Sequence, residues 1–156
     1  MTAVKNRPTW SEYFIELAQV VKKRSNCLRM AVGVVIVKEK HIIATGYNGT
    51  PAGIKNCNEG GCERCLQREQ AILKENERKD LCICVHAEQN ALLQSAFHGV
   101  STKDAIIFQT TAPCLQCAKH IINAGVSEVV YELEFQESLG IELLRSAGLN
   151  VKKYSS

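Results

Sequence analysis

Apolar side chains recur with helical spacing near the start of the chain: Trp10, Tyr13, Phe14, Leu17, Val20 and Val21 fall on one stripe. Thr9-Trp10-Ser11-Glu12 just ahead of them fits a capping box, so the pattern predicts an amphipathic packing helix over about 10–24. The period then changes. Met30-Ala31-Val32-Gly33-Val34-Val35-Ile36-Val37 is β-branched and too short for a buried helix, and Lys38-Glu39-Lys40 parts it from a second apolar run, Ile42 to Thr45. These residues predict a strand, a tight turn and an antiparallel strand.

From Gly46 to Asn58 the chain reads Gly-Tyr-Asn-Gly-Thr-Pro-Ala-Gly-Ile-Lys-Asn-Cys-Asn, a composition that favours turns and predicts a loop. Leu66 to Asp80 is polar and charged and predicts a solvated helix. Beyond it the element type alternates: helix over 87–98, strand over 105–110, helix over 114–124 capped by Gly125, strand over 127–131, helix over 135–147 with Gly148 behind it, and a last strand over 150–154. Such alternation requires right-handed crossovers and a mostly parallel sheet covered on both faces. The expected fold class is α/β, a three-layer α/β/α sandwich on a mixed, mostly parallel five-stranded sheet.

Length and composition narrow this further. With 156 residues, 46% of them apolar and 22% charged, the chain is expected to be one domain over 1–156, with a Cys-rich insert at about 50–82. Roughly 70% of the unfolded surface can be buried at this size, which excludes disorder, collagen and coiled coil. The longest apolar stretch, Ala31 to Val37, is far short of the roughly 20 residues of a membrane span, and Met1 to Pro8 shows no apolar leader. The expected setting is therefore the cytoplasm or nucleus, where thiols stay reduced, and the eight Cys read first as metal ligands. The formal charge of +3 falls to +1 if one neutral His-Cys-Cys zinc site and one four-Cys site at −2 are both filled. A charge that small, with only 6% aromatic residues, argues against a nucleic-acid partner.

The strongest chemical signal is His86-Ala87-Glu88 followed by Pro113-Cys114-Leu115-Gln116-Cys117. Cys114 and Cys117 stand three apart at the first turn of a helix, on one face, where free N–H groups and the macrodipole favour thiolates. With His86 they make three protein ligands and leave a fourth tetrahedral position for water, the pattern of a catalytic zinc. Glu88 lies too far round the helix from His86 to bind the same ion, and is placed to hydrogen-bond that water and carry its proton. A His-x-Glu and Pro-Cys-x-x-Cys pair is the signature of zinc nucleobase deaminases. Cys57, Cys62, Cys65 and Cys82 have spacings suited to a closed structural zinc site, with Cys84 the rival of Cys82 for the fourth place. Cys27 stands alone and reads as a small core residue. Tyr131 ends a strand on the edge where a parallel sheet binds ligands, and a core tyrosine is the equal alternative.

Cys84-Val85-His86-Ala87-Glu88-Gln89-Asn90-Ala91-Leu92-Leu93, with Gly46-Tyr47-Asn48-Gly49-Thr50-Pro51, Pro113 to Lys119 and Ile122-Asn123-Ala124-Gly125-Val126, resembles the deoxycytidylate (dCMP) deaminases. The resemblance runs from about Ser25 to Val151, and the Cys-rich insert looks most like fungal and bacterial members. It implies a cytidine deaminase-like fold and hydrolysis of dCMP to dUMP and ammonia, with a zinc-activated water attacking C4 while Glu88 protonates N3. It further implies Asn48 against the sugar and the Ala87 amide against the base. Ser25, Arg29 and Lys55 become candidates for a phosphate. A dCTP activator or dTTP inhibitor, carried with Mg²⁺, would lie near Gly46, Tyr47, Gly49 and Lys55. Relatives of this kind are homo-oligomers, frequently hexamers. Two other readings compete: a deaminase of a base in tRNA or single-stranded DNA, and a non-catalytic zinc nucleotide sensor.

Overall fold

Thr9 opens the first helix as its sequence predicts. In the computed structural model, which describes residues 6–156, the Thr9 hydroxyl accepts from the Glu12 amide at 3.2 Å and the Glu12 carboxylate accepts from the Thr9 amide at 3.3 Å. Helix α1 (Trp10–Lys22) follows and buries Phe14, Ile15 and Ala18. Thr9→Ala is expected to cost about 1 kcal/mol, read as a lower urea midpoint at unchanged slope. Of the segment Met1 to Pro8, where the sequence shows no apolar leader, residues 1–5 lie outside the described residues.

Strand β1 (Gly33–Lys38) turns into β2 (His41–Tyr47) through Glu39 and Lys40, whose φ values of 51° and 63° give the two-residue hairpin that matches strand twist. β1 starts at Gly33 rather than Met30 because the Asn48 side chain takes backbone groups of Met30 and Val32 that a strand partner would need. β2 runs past the predicted end at Thr45, since Tyr47 still pairs with Gly33.

The polar stretch after Cys62 is not one long helix. Helix α2 (Glu63–Glu69) stops at Gln70, Ala71 takes a φ of 60°, and turns lead to a single 3-10 turn at Lys79–Leu81. The buried Arg64 guanidinium explains the break. It donates to the carbonyls of Glu75 and Glu77, which a continuous helix would consume internally.

Helix α3 (Ala87–Phe97), strand β3 (Ile106–Thr111), helix α4 (Leu115–Asn123), strand β4 (Glu128–Leu133), helix α5 (Leu139–Ser146) and strand β5 (Asn150–Lys153) complete the chain. The sheet order is β2-β1-β3-β4-β5, with β1 antiparallel to both neighbours and β3-β4 and β4-β5 parallel. Four strands therefore point one way and β1 alone the other, so the sheet is mixed and mostly parallel as expected. Val35, Val37, Phe108 and Val130 pack on α1, while Val34, Ile36, Ile107 and Val129 pack with buried residues of α3, α4 and α5. That gives three layers. α5 begins at Leu139, four positions later than the predicted 135, and leaves Phe135 in the loop before it. No helix among the described residues is long and apolar enough to cross a membrane.

Candidate active site

Two helix N-termini meet above the carboxyl end of β3. His86 is the N-cap of α3 and Cys114 the N-cap of α4. The His86 backbone amide is pinned by the Gln89 side chain at 2.9 Å, and Val85 before it is bridged to Gly49 by two backbone hydrogen bonds. His86 Nδ1 then lies 3.5 Å from Cys114 Sγ and 3.3 Å from Cys117 Sγ. Zinc bonds of 2.0–2.3 Å at tetrahedral angles put N and S ligand atoms roughly 3.5 Å apart, so these three donors fit that ion. The hydrogen bond from Cys117, helped by His86, lowers Cys114 to about 4; the same contact with Cys114 and burial push Cys117 up. Cys114 in turn raises His86.

Glu88 is almost wholly buried, 5% exposed, and burial raises its carboxyl above the usual range. Its Oε1 accepts from Gln109 Nε2 at 3.2 Å, and the same nitrogen donates to the Thr111 carbonyl. Gln109 escaped sequence reasoning. Its signal was a lone amide inside the apolar run Ile106-Ile107-Phe108-Gln109, fully buried and with Oε1 unpartnered among the described residues. Glu88, Ala87, His86, Cys114, Asn48 and Phe135 line a cavity of about 60 Å³. An outer cleft of about 360 Å³ continues from it past Arg29, Arg64 and Lys79.

The match to known proteins is broad. The model of the cytidine and deoxycytidylate deaminase zinc-binding region covers residues 8–133. The chain belongs to that deaminase family. It is 44% identical over 149 residues to the deoxycytidylate deaminase of Schizosaccharomyces pombe, covering 95% of this chain and 45% of the relative. The deoxycytidylate deaminase of Saccharomyces cerevisiae is 41% identical over 150 residues, covering 96% and 46%. The chain thus spans less than half the length of these two curated relatives. Among solved structures, the dCMP deaminase of cyanophage S-TIM5 in complex with dCMP and dUMP superposes with a TM-score of 0.77 at 34% identity, covering 96% of this chain and 100% of that one. The cytidine deaminase-like fold class is therefore established.

Other family positions sort by where their polar atoms go. Asn48 faces the cavity, but its Oδ1 already accepts from Ser25 Oγ at 2.7 Å and the Val32 amide at 2.9 Å, and Nδ2 donates to Met30. One amide hydrogen remains for a ligand. Ser25 is spent on holding Asn48 rather than on a phosphate. Arg29 borders both the cavity and the outer cleft and is paired with Glu75 at 3.2 Å. Tyr131 is buried in the core, its hydroxyl donating to Glu134 at 3.3 Å. Gly46, Tyr47 and Gly49 line a separate surface hollow with Asn90 and Phe97, and Lys55 is exposed on the loop beyond. A Cβ on Gly46 would sit 2.2 Å from the Ala87 carbonyl and 2.5 Å from the Ala91 amide nitrogen, so this glycine lets α3 rest flush on β2.

The remaining cysteines group differently from the order their spacing suggests. Cys57, Cys62, Cys65 and Cys82 do not form one ligand set. Instead Cys27, Cys57, Cys65 and Cys84 lie mutually within 4.8 Å, and so do Cys62, Cys65, Cys82 and Cys84. Cys27, read from sequence as an isolated core residue, is drawn in because the chain leaving α1 passes the 3-10 turn at Cys57–Glu59, where the Leu28 amide donates to Cys57 Sγ at 3.4 Å. Cys82 and Cys84 both fall in the second of these groups, and Cys84 in the first as well.

Proposed function

We propose that the chain hydrolyses dCMP to dUMP and ammonia, supplying dUMP for thymidylate synthesis. The observation that carries this reading is the buried carboxyl of Glu88 beside the convergent His86, Cys114 and Cys117, at the floor of a cavity that opens onto cationic side chains. The names of the fungal relatives, and the nucleotides in the cyanophage structure, support the same substrate.

Zinc held by His86, Cys114 and Cys117 would supply a water of lowered pKa. The chain's own residues do the rest. The Ala87 amide is the first of α3, has no intrahelical acceptor, and faces the cavity as a donor to the base. Asn48 offers its free amide hydrogen to the sugar. Glu88, fixed by Gln109, moves both protons: as the water oxygen bonds to C4, one goes to N3, and the second leaves with the amine as ammonia when the C4–N bond breaks. Arg29 and Lys79 in the outer cleft meet the 5′-phosphate, a role in which a charged donor exceeds a neutral one. The Gly46, Tyr47 and Gly49 hollow, with Lys55, is our assignment for a dCTP or dTTP effector carried with Mg²⁺. A cytoplasmic homo-oligomer, a hexamer in the first instance, goes with this reading.

The test is ultraviolet-monitored turnover of dCMP, CMP, deoxycytidine and dCTP compared side by side. dCMP should be converted fastest. Arg29→Ala should raise KM for dCMP about tenfold, equivalent to ~1.4 kcal/mol, and leave the KM for deoxycytidine unchanged. No turnover of any of the four, with dCTP and Mg²⁺ also supplied as activators, overturns the reading.

A further inference from the structure

Six of the eight cysteines lie outside the site assigned to catalysis, and they come from four separate stretches of chain. Cys27 follows α1, Cys57 opens a 3-10 turn, Cys62 and Cys65 are the N-cap and first turn of α2, and Cys82 and Cys84 sit on the segment leading to His86. Two residues apart on an open stretch, Cys82 and Cys84 turn inward while Ile83 between them is exposed. Cys57, Cys62 and Cys65 are buried, and all six sulfurs are free thiols.

Their arrangement has a definite shape. The set Cys27, Cys57, Cys65, Cys84 and the set Cys62, Cys65, Cys82, Cys84 are two four-sulfur groups sharing two members, Cys65 and Cys84. Tetrahedral zinc with Zn–S bonds of 2.3 Å has S···S edges of about 3.8 Å. Cys62–Cys82 and Cys65–Cys82 are 3.9 Å and 3.7 Å. A single ion in either group would leave two thiols stranded beside it, Cys27 and Cys57 or Cys62 and Cys82.

We propose that the six cysteines hold two zinc ions in one binuclear cluster, with Cys65 and Cys84 bridging, Cys27 and Cys57 completing one ion and Cys62 and Cys82 the other. Two divalent ions and six thiolates carry −2, the charge a lone four-Cys site would have, so the second ion adds ligands without adding net charge. The Leu28 amide supplies a hydrogen bond to the thiolate of Cys57. Since Cys27, Cys82 and Cys84 also line the catalytic cavity, the cluster forms its outer wall. It deepens the single structural zinc expected from sequence and stands independently of which substrate is turned over.

Metal content of the full chain purified under reducing conditions should be three zinc ions per chain by mass spectrometry of the elements. Loaded with enriched ¹¹³Cd, the protein should give three cadmium resonances, two of them split by each other through the shared sulfurs. His86→Ala should remove the unsplit signal and keep the coupled pair, which separates this cluster from the catalytic reading. Cys27→Ser should collapse the pair to one unsplit line. Cadmium lines with none split, whether two or three in number, overturn the proposal, whereas a split pair without the third line counts against the catalytic zinc alone, and both readings come from the unmutated protein.

Discussion

Glu88→Gln is expected to lower kcat for dCMP by about 10³- to 10⁴-fold, the upper range for loss of a positioned proton carrier, with zinc content unchanged. The substitution keeps shape, and its amide oxygen can still accept from Gln109 Nε2. It leaves the three convergent donors, His86, Cys114 and Cys117, in place. What disappears is the carboxyl to which the proposed function gives the proton transfers. Because the carboxyl is buried, its replacement by a neutral amide should leave the thermal midpoint unchanged or raised. Turnover and metal content measured on the same preparation check this, and activity within tenfold of the parent would assign proton transfer to another residue.

Gly46→Val should destabilise the fold by about 3 kcal/mol or more, the upper range for overpacking. The first carbon of the new side chain already lies 2.2 Å from the Ala87 carbonyl and 2.9 Å from the Ala91 Cβ, and helix backbone cannot yield as a flexible side chain would. To relieve the contact, α3 must lift from β2, carrying the His86 N-cap and Glu88 with it. Urea unfolding gives the stability, and turnover at a temperature where the variant stays folded gives the displacement of the site. An unchanged urea midpoint would show that α3 does not need Gly46 to rest on β2.

The first prediction depends on residues that the sequence marks clearly, for a physical reason, while the packing role of Gly46 shows only in the structure. His86, Glu88, Cys114 and Cys117 sit at helix termini, where spacing along the chain translates directly into geometry. The strands are equally readable, because β1 is buried on both faces and carries little but branched apolar residues, and β3 opens on Ile106-Ile107-Phe108. The reading failed where long-range contacts decide the backbone. Nothing local in Leu66 to Asp80 announces that Arg64 will claim the carbonyls of Glu75 and Glu77, so local helical propensity points to a helix where turns prevail. The start of α5 was misplaced for a related reason: Phe135 leaves the helical pattern to line the cavity.

The cysteines show the same limit. Spacing identifies ligands that share one short segment, as Cys62 and Cys65 do. It has no access to Cys27, which reaches the others only because the chain folds back across the 3-10 turn at Cys57–Glu59. Gln109 and Lys79 were overlooked because a single amide in a strand, or one lysine in a polar run, carries no periodic signature. Sequence cannot tell whether the Ser25 hydroxyl faces a ligand or a neighbouring side chain, and in the structure it donates to Asn48.

The strand order has a consequence for the chain as it is made. β1 finds β2 at once through a two-residue turn, but its other edge waits for β3, whose Ile107 pairs with Ile36 about seventy residues later. A ribosome that has not yet passed β3 therefore carries a hairpin with a bare Val-Val-Ile-Val margin, the kind of edge that recruits other unfinished chains. Slow translation through the Cys-rich insert at about 50–82 would prolong that exposure, so the yield of native protein should respond to codon choice there.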